Sequence, residues 1–168
     1  RIDGKCFFSY YNKWIPQENF YYCVENTGFR PNLERSEGTY SKYSSLDDKT
    51  DGFHYYMAFI KFGIGRATYD ASQEIRNEEI TREEGVSLVK KYDGEFPQRF
   101  CEEIFDYLSI PHHENALASQ SFEQPVMNRD YFDSLTNSFR SPHLWIRAAD
   151  NWYLRRAVWH DINCCLLY

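Results

Sequence analysis

Two cations flank a pair of glycines near the middle of the chain: Lys61, then Gly63-Ile-Gly65, then Arg66. A lysine and an arginine beside a tight turn that opens a helix can hold an anion, because the helix start adds backbone N–H donors to the two side-chain charges. The chemistry in view is recognition of a phosphate or carboxylate, or charge stabilisation of a departing pyrophosphate. The competing reading is that Lys61 snorkels to the surface while Arg66 pairs with Asp70 or Glu74, the glycines merely ending a helix. Both readings stand on the sequence.

The elements that must position these residues follow from periodicity. Phe53, Tyr56, Met57, Ile60 and Ile64 recur at helical spacing, and Tyr55, Phe59 and Phe62 form a second apolar face. This predicts a helix buried around most of its circumference, with Lys61 on its narrow polar stripe and short of water. Gly63 and Gly65 end it, and Thr68 is expected to cap a second helix from about Tyr69 to Arg76, with Asp70 in the first turn. Upstream, Lys5 to Tyr11 is aromatic and reads as a strand, Pro16 opens a helix that Gly28 stops, and residues 29–45 form a long polar loop. Downstream, Thr81-Arg-Glu-Glu84 is a capping box, Pro97 starts a helix carrying Phe100, Ile104 and Phe105, and Asn128 caps another through Phe139. The segment from His112 to Pro125 reads as a surface insertion, and the tail around Trp145 and Trp152 is aromatic enough to pack. The expected fold is mainly α, a single domain over residues 1–168 with one short N-terminal strand.

Composition narrows the function classes. The 168 residues carry 19 Lys and Arg against 25 Asp and Glu, a net charge of −6, with the basic residues scattered; a nucleic-acid footprint is not expected. No apolar run approaches the about 20 residues of a membrane span. Five cysteines without a Cys-x-x-Cys indicate neither a disulfide framework nor a zinc site, and a cytoplasmic setting is expected. His112-His113 lacks a spaced third ligand, and no metal is expected there.

In order along the chain, Glu37-Gly-Thr-Tyr40, Lys61-Phe-Gly-Ile-Gly-Arg-Ala-Thr68, Asp70-Ala71, Ile75-Arg76, Thr81-Arg-Glu-Glu84, Tyr92-Asp-Gly94 and Phe139-Arg-Ser-Pro-His-Leu-Trp145 resemble the C-terminal part of the N-acetyl sugar amidotransferases. These are PP-loop ATP-pyrophosphatase enzymes of bacterial surface-polysaccharide biosynthesis, with an α/β nucleotide-binding half of the adenine nucleotide α-hydrolase type. The resemblance runs from about Cys6 to Arg156, with the His112–Pro125 stretch unlike the rest. It implies conversion of a sugar N-acetyl group to an acetamidino group, by adenylylation and then ammonia attack. ATP with Mg2+ would serve the full-length enzyme, a glutaminase subunit would supply ammonia, and the sugar would be nucleotide-activated. The family's Ser-Gly-Gly-x-Asp-Ser phosphate loop is not in this sequence, so the segment alone is expected to be inactive and to need no cofactor of its own. Lys61 and Arg66 are the expected catalytic cations, and Glu37, Thr39, Tyr40, Asp70 and Arg76 the expected substrate-binding set. The alternative is a non-catalytic interaction module that docks the glutaminase or a second copy of the chain, making a homo-oligomer.

Overall fold

The computed structural model describes residues 7–109 and 126–160. Within them the chain is mainly helical: α1 (Pro16–Thr27), α2 (Asp51–Phe62), α3 (Arg66–Arg76), α4 (Arg82–Tyr92), α5 (Cys101–Leu108) and α6 (Arg129–Asn137), followed by a hairpin of β1 (Trp145–Ala148) and β2 (Asn151–Leu154). The strands are antiparallel, with Trp145 opposite Leu154 and Ala148 opposite Asn151. His112, His113 and the rest of the expected insertion lie outside the described residues.

Two apolar centres hold the fold. The first gathers Phe53 from α2, Cys101, Ile104 and Phe105 from α5, Met127, and Phe132 from α6, with Tyr56 and Phe96 against it. Phe53 meets Phe96 and Phe132 edge to face, at centroid separations of 5.7 and 5.6 Å, the arrangement that ring quadrupoles favour. The second gathers Trp145, Leu154 and Ala157 beneath Phe59. The Trp145 indole N–H donates to the Ile60 carbonyl at 2.7 Å, so the hairpin satisfies a backbone acceptor in the last turn of α2 that the helix leaves open. Helices α3 and α4 lie close because Gly85 has no side chain: a Cβ there would come within 2.6 Å of Ile75 Cδ1.

Several expectations are met at residue level. Gly28 ends α1 and Gly63 ends α2, each in the left-handed region, at φ 71° and 74°. Thr81 accepts from the Glu84 backbone N–H while the Glu84 carboxylate accepts from Thr81 N, the reciprocal capping box. Asn128 caps α6 by accepting from Tyr131 N at 2.9 Å.

Three expectations are corrected. Residues 7–11 are not a strand: Phe8–Tyr10 is a single exposed 3-10 turn, since an aromatic run has no ladder to join without a partner strand. The strands lie instead in the tail. Helix α3 begins three residues earlier than expected, at Arg66, with Gly65 as N-cap and Thr68 inside its first turn. And α2 is less buried than expected: Phe53 and Ile60 are buried, Tyr55, Tyr56, Met57 and Phe59 are half-buried, and Phe62 is exposed along with His54 and Lys61. Lys61 therefore has water, and its ammonium sits 5.2 Å from the Phe62 ring centroid.

Candidate functional site

The loop from Arg35 to Ser45 is fastened to the N-terminal end of α3, and that junction forms the candidate site. Within the loop, Ser36 N donates to Ser41 O and Ser36 Oγ to Ser44 O, and Asn32 N, just ahead of it, donates to Lys42 O. The Ala67 N–H of α3 donates to Gly38 O at 3.0 Å. Gly38 itself takes φ 79°, which a residue without a Cβ adopts freely.

Charged side chains complete the fastening. Arg35 makes a two-pronged ion pair with Glu95, both contacts at 2.6 Å, and lies 4.7 Å from the Tyr92 ring centroid. Glu95 also accepts from Gly38 N at 2.8 Å. The Arg35 hydrogen bond holds the Glu95 carboxyl below its usual range. The Glu37 carboxylate accepts from the backbone N–H groups of Gln98 and Arg99, just ahead of α5.

At the start of α3 the orphan N–H donors are met by a residue of another helix end. Asp93, just past α4, accepts from Gly65 N at 2.9 Å, Thr68 N at 3.1 Å and Thr68 Oγ1 at 2.5 Å. Burial raises the Asp93 pKa, and these hydrogen bonds pull against that rise.

Arg66 is the first residue of α3. Its Nε donates to Asp70 Oδ1 at 3.1 Å, one turn on, and its guanidinium lies 4.5 Å from the Tyr55 ring centroid. Asp70 Oδ2 accepts from Thr39 Oγ1 at 2.5 Å, and Thr39 is 0% exposed. Tyr40 donates to Glu74 Oε2 at 2.8 Å. Burial raises the pKa of both Tyr40 and Glu74.

Arg66 separates two clefts. The first, about 250 Å³, lies between Glu37, Asp48, Lys49, Tyr55 and Arg99. The second, about 240 Å³, lies between Trp14, Tyr43, Gln73 and Glu74. Arg66 lines both.

Of the residues expected to act, Thr39, Tyr40, Arg66 and Asp70 are brought together. Glu37 is bonded to the backbone ahead of α5 and lines the first cleft along with Arg66. Lys61 lines neither cleft, and the Arg66–Asp70 pair is the one that the competing reading named. Arg76 is exposed at the far end of α3, ten residues from Arg66 and so about 15 Å along the axis at 1.5 Å per residue. Arg35, Asp93 and Glu95 were not expected. Asp93 stands in the Tyr92-Asp-Gly94 motif, but its partners are 25 and 28 residues away, beyond any local pattern.

The model of the family "LPS biosynthesis protein WbpG-like, C-terminal domain" matches residues 37–158, well over half of the chain and every element from α2 to the hairpin. The chain belongs to this family. The WbpG-like match begins at the loop that is bonded to α3 and ends beyond β2, so both clefts draw most of their walls from it. No curated protein matches the chain in sequence. Among the described residues no helix is long and apolar enough to cross a membrane, and no three His, Cys, Asp or Glu side chains gather as a metal site.

Proposed function

We propose that this chain is the substrate-side region of an ATP-dependent amidotransferase that converts a sugar N-acetyl group to an acetamidino group, in lipopolysaccharide O-antigen or related glycan synthesis in the cytoplasm. The observation that carries the reading is Arg66, a cation held by Asp70 and Tyr55 at a helix start and shared by two clefts, within a WbpG-like lipopolysaccharide domain. An amide carbonyl is a poor electrophile with a poor leaving oxygen. Attack of that oxygen on the α-phosphorus of ATP expels pyrophosphate and leaves an imidate ester of AMP. Ammonia then adds to the carbon, the C–O bond to AMP breaks, and loss of a proton leaves the amidine. On this reading Mg2+ and ATP are held by the nucleotide-binding half of the parent enzyme. What this chain contributes is a fixed positive charge near the anionic groups, and cleft walls that orient the sugar.

The test is steady-state kinetics on the parent enzyme supplied with ammonia, which bypasses the glutaminase. Arg66→Met is expected to lower kcat and kcat/KM together by on the order of 10²-fold, the size seen when an electrostatic donor is lost. Wild-type turnover by a folded Arg66→Met variant refutes the assignment. Lys61→Met in the same assay separates the two cations: an equal loss keeps Lys61 in the anion site, and unchanged turnover leaves that site to Arg66.

One observation favours a second reading, in which the chain docks a glutaminase or a second copy of itself. Helix α1 buries none of its residues, and Phe7, Tyr10, Tyr11, Tyr21 and Tyr22 are exposed around it. Light scattering of the chain alone and with the glutaminase distinguishes the two partners.

A further inference from the structure

The two clefts that meet at Arg66 differ in kind, and the difference assigns them different ends of one ligand. The first carries charge of both signs, from Asp48, Lys49, Arg66 and Arg99, beside the rings of Tyr55 and Phe100. The second is lined by Trp14, Pro16 and Tyr43 on its apolar part and by Gln73, Glu74, Asp70 and Arg66 on its polar part. At about 240 Å³ it lies below the roughly 300–1,000 Å³ of sites for drug-sized ligands, so it suits a single ring rather than a nucleotide.

We infer that the second cleft is a saccharide subsite that takes one pyranose ring, with Trp14 against its C–H face and Gln73 and Glu74 on its hydroxyls. A sugar ring presents axial C–H groups on one face and hydroxyls around its edge, so it calls for an aromatic plane on one side and planar amide or carboxyl groups on the other. Of the aromatic side chains there, Tyr43 is held in place. Tyr43 stacks on Phe20 at 4.6 Å, and its hydroxyl donates to Gln17 at 3.0 Å. Trp14 is 55% exposed, beside the cleft rather than in either apolar centre.

The polar wall has capacity to spare. Both Asp70 oxygens are engaged, one by Thr39 and one by Arg66. Among the described residues, Glu74 has one oxygen on Tyr40 and the other without a hydrogen-bond partner, and the Gln73 side chain has none. Burial raises the Glu74 pKa above the ordinary carboxyl value. A ring seated there would have Arg66 at its border, within the wall shared with the charged cleft, where a phosphate on the sugar would lie.

This rests on the amidotransferase reading for its substrate class and deepens it. Three probes separate the parts: N-acetylglucosamine, its 1-phosphate, and inorganic phosphate, each titrated into the chain and followed by ligand-observed NMR. Trp14→Ala and Gln73→Ala are each expected to weaken both sugar probes about tenfold, about 1.4 kcal/mol, and to leave phosphate unchanged. Both variants alter half-buried or exposed side chains outside the apolar centres, and circular dichroism checks their fold. Sugar binding that is untouched by both substitutions overturns the subsite, as does wild-type chain that binds phosphate through Arg66 and no sugar. In the parent enzyme Trp14→Ala should raise KM for the sugar and spare kcat. An unchanged KM alongside intact, Arg66-dependent turnover sinks the subsite and leaves the amidotransferase reading standing, whereas the absence of any amidine product sinks that reading itself.

Discussion

Replacing Asp93 by alanine removes a cap that one helix end supplies to the start of another. Three donors lose their acceptor: Gly65 N, Thr68 N and Thr68 Oγ1. A typical cap is worth about 1 kcal/mol and a hydrogen bond to a charged group about 1.5–3 kcal/mol, but the buried carboxylate already carries a desolvation cost. The net loss for Asp93→Ala is therefore set at about 3 kcal/mol, less than the three bonds summed. Asp93→Asn keeps one acceptor oxygen and carries no charge to desolvate, so it should lose only about 1 kcal/mol. The pH dependence has a definite sign. Burial raises Asp93 above its ordinary value of 3.8, so the folded state takes up this proton more readily than the unfolded chain. The stability gap between wild type and Asp93→Ala should thus widen as pH falls through the raised pKa and level off below about 3.8. Urea denaturation from pH 7 to pH 3, followed by circular dichroism at 222 nm, measures both quantities. An Asp93→Ala loss under about 0.5 kcal/mol, the level of an unremarkable surface change, or a gap that narrows on acidification, refutes the account of the cap.

Glu95→Gln should show the opposite pH sign. Glu95 is held below its ordinary 4.5 by the Arg35 hydrogen bond, so the stability it adds is present above that value and fades as pH falls through the lowered pKa. The wild-type advantage in denaturation midpoint should hold above pH 4.5 and shrink as the pH is taken below it. Thr81→Ala removes one half of the capping box at the exposed start of α4 and should cost about 1 kcal/mol while leaving binding of the phosphate and sugar probes unchanged. Thermal melting checks the first part and the NMR titration the second.

The parts of the fold that were legible in sequence are those decided within a turn or two of chain. The Thr81 and Asn128 caps, the Gly28 and Gly63 stops and the apolar stripe of Phe53, Tyr56 and Ile60 all depend on neighbours a few residues away. The hairpin was hidden because its two-residue turn is Ala149-Asp150, with Ala149 at φ 51°, where asparagine or glycine would have signalled it. The aromatic run at 7–11 gave the reverse error: residue type suits a strand, but pairing decides one. At the candidate site, Thr39, Tyr40, Arg66 and Asp70 were each singled out, and two of the pairings among them and their neighbours join residues 31 and 34 positions apart. The water around Lys61 was not legible because Phe62, one residue on, reads as part of a second buried face and instead faces solvent.

The indole of Trp145 offers a way to watch α2 optically. It is 3% exposed and bonded to the Ile60 carbonyl, while Trp14, near the second cleft, is open to solvent. An aqueous quencher such as iodide therefore reaches Trp14 readily and Trp145 hardly at all. Two further tryptophans, Trp152 and Trp159, are half-buried against the apolar centre of Trp145. With both replaced by phenylalanine, the quencher-resistant, blue-shifted emission under excitation at 295 nm reports whether the last turn of α2 is still latched to the hairpin, and the accessible, red-shifted part reports on the cleft. Such a chain carries two separable fluorescent signals, one for its scaffold and one for a ligand, with no label attached.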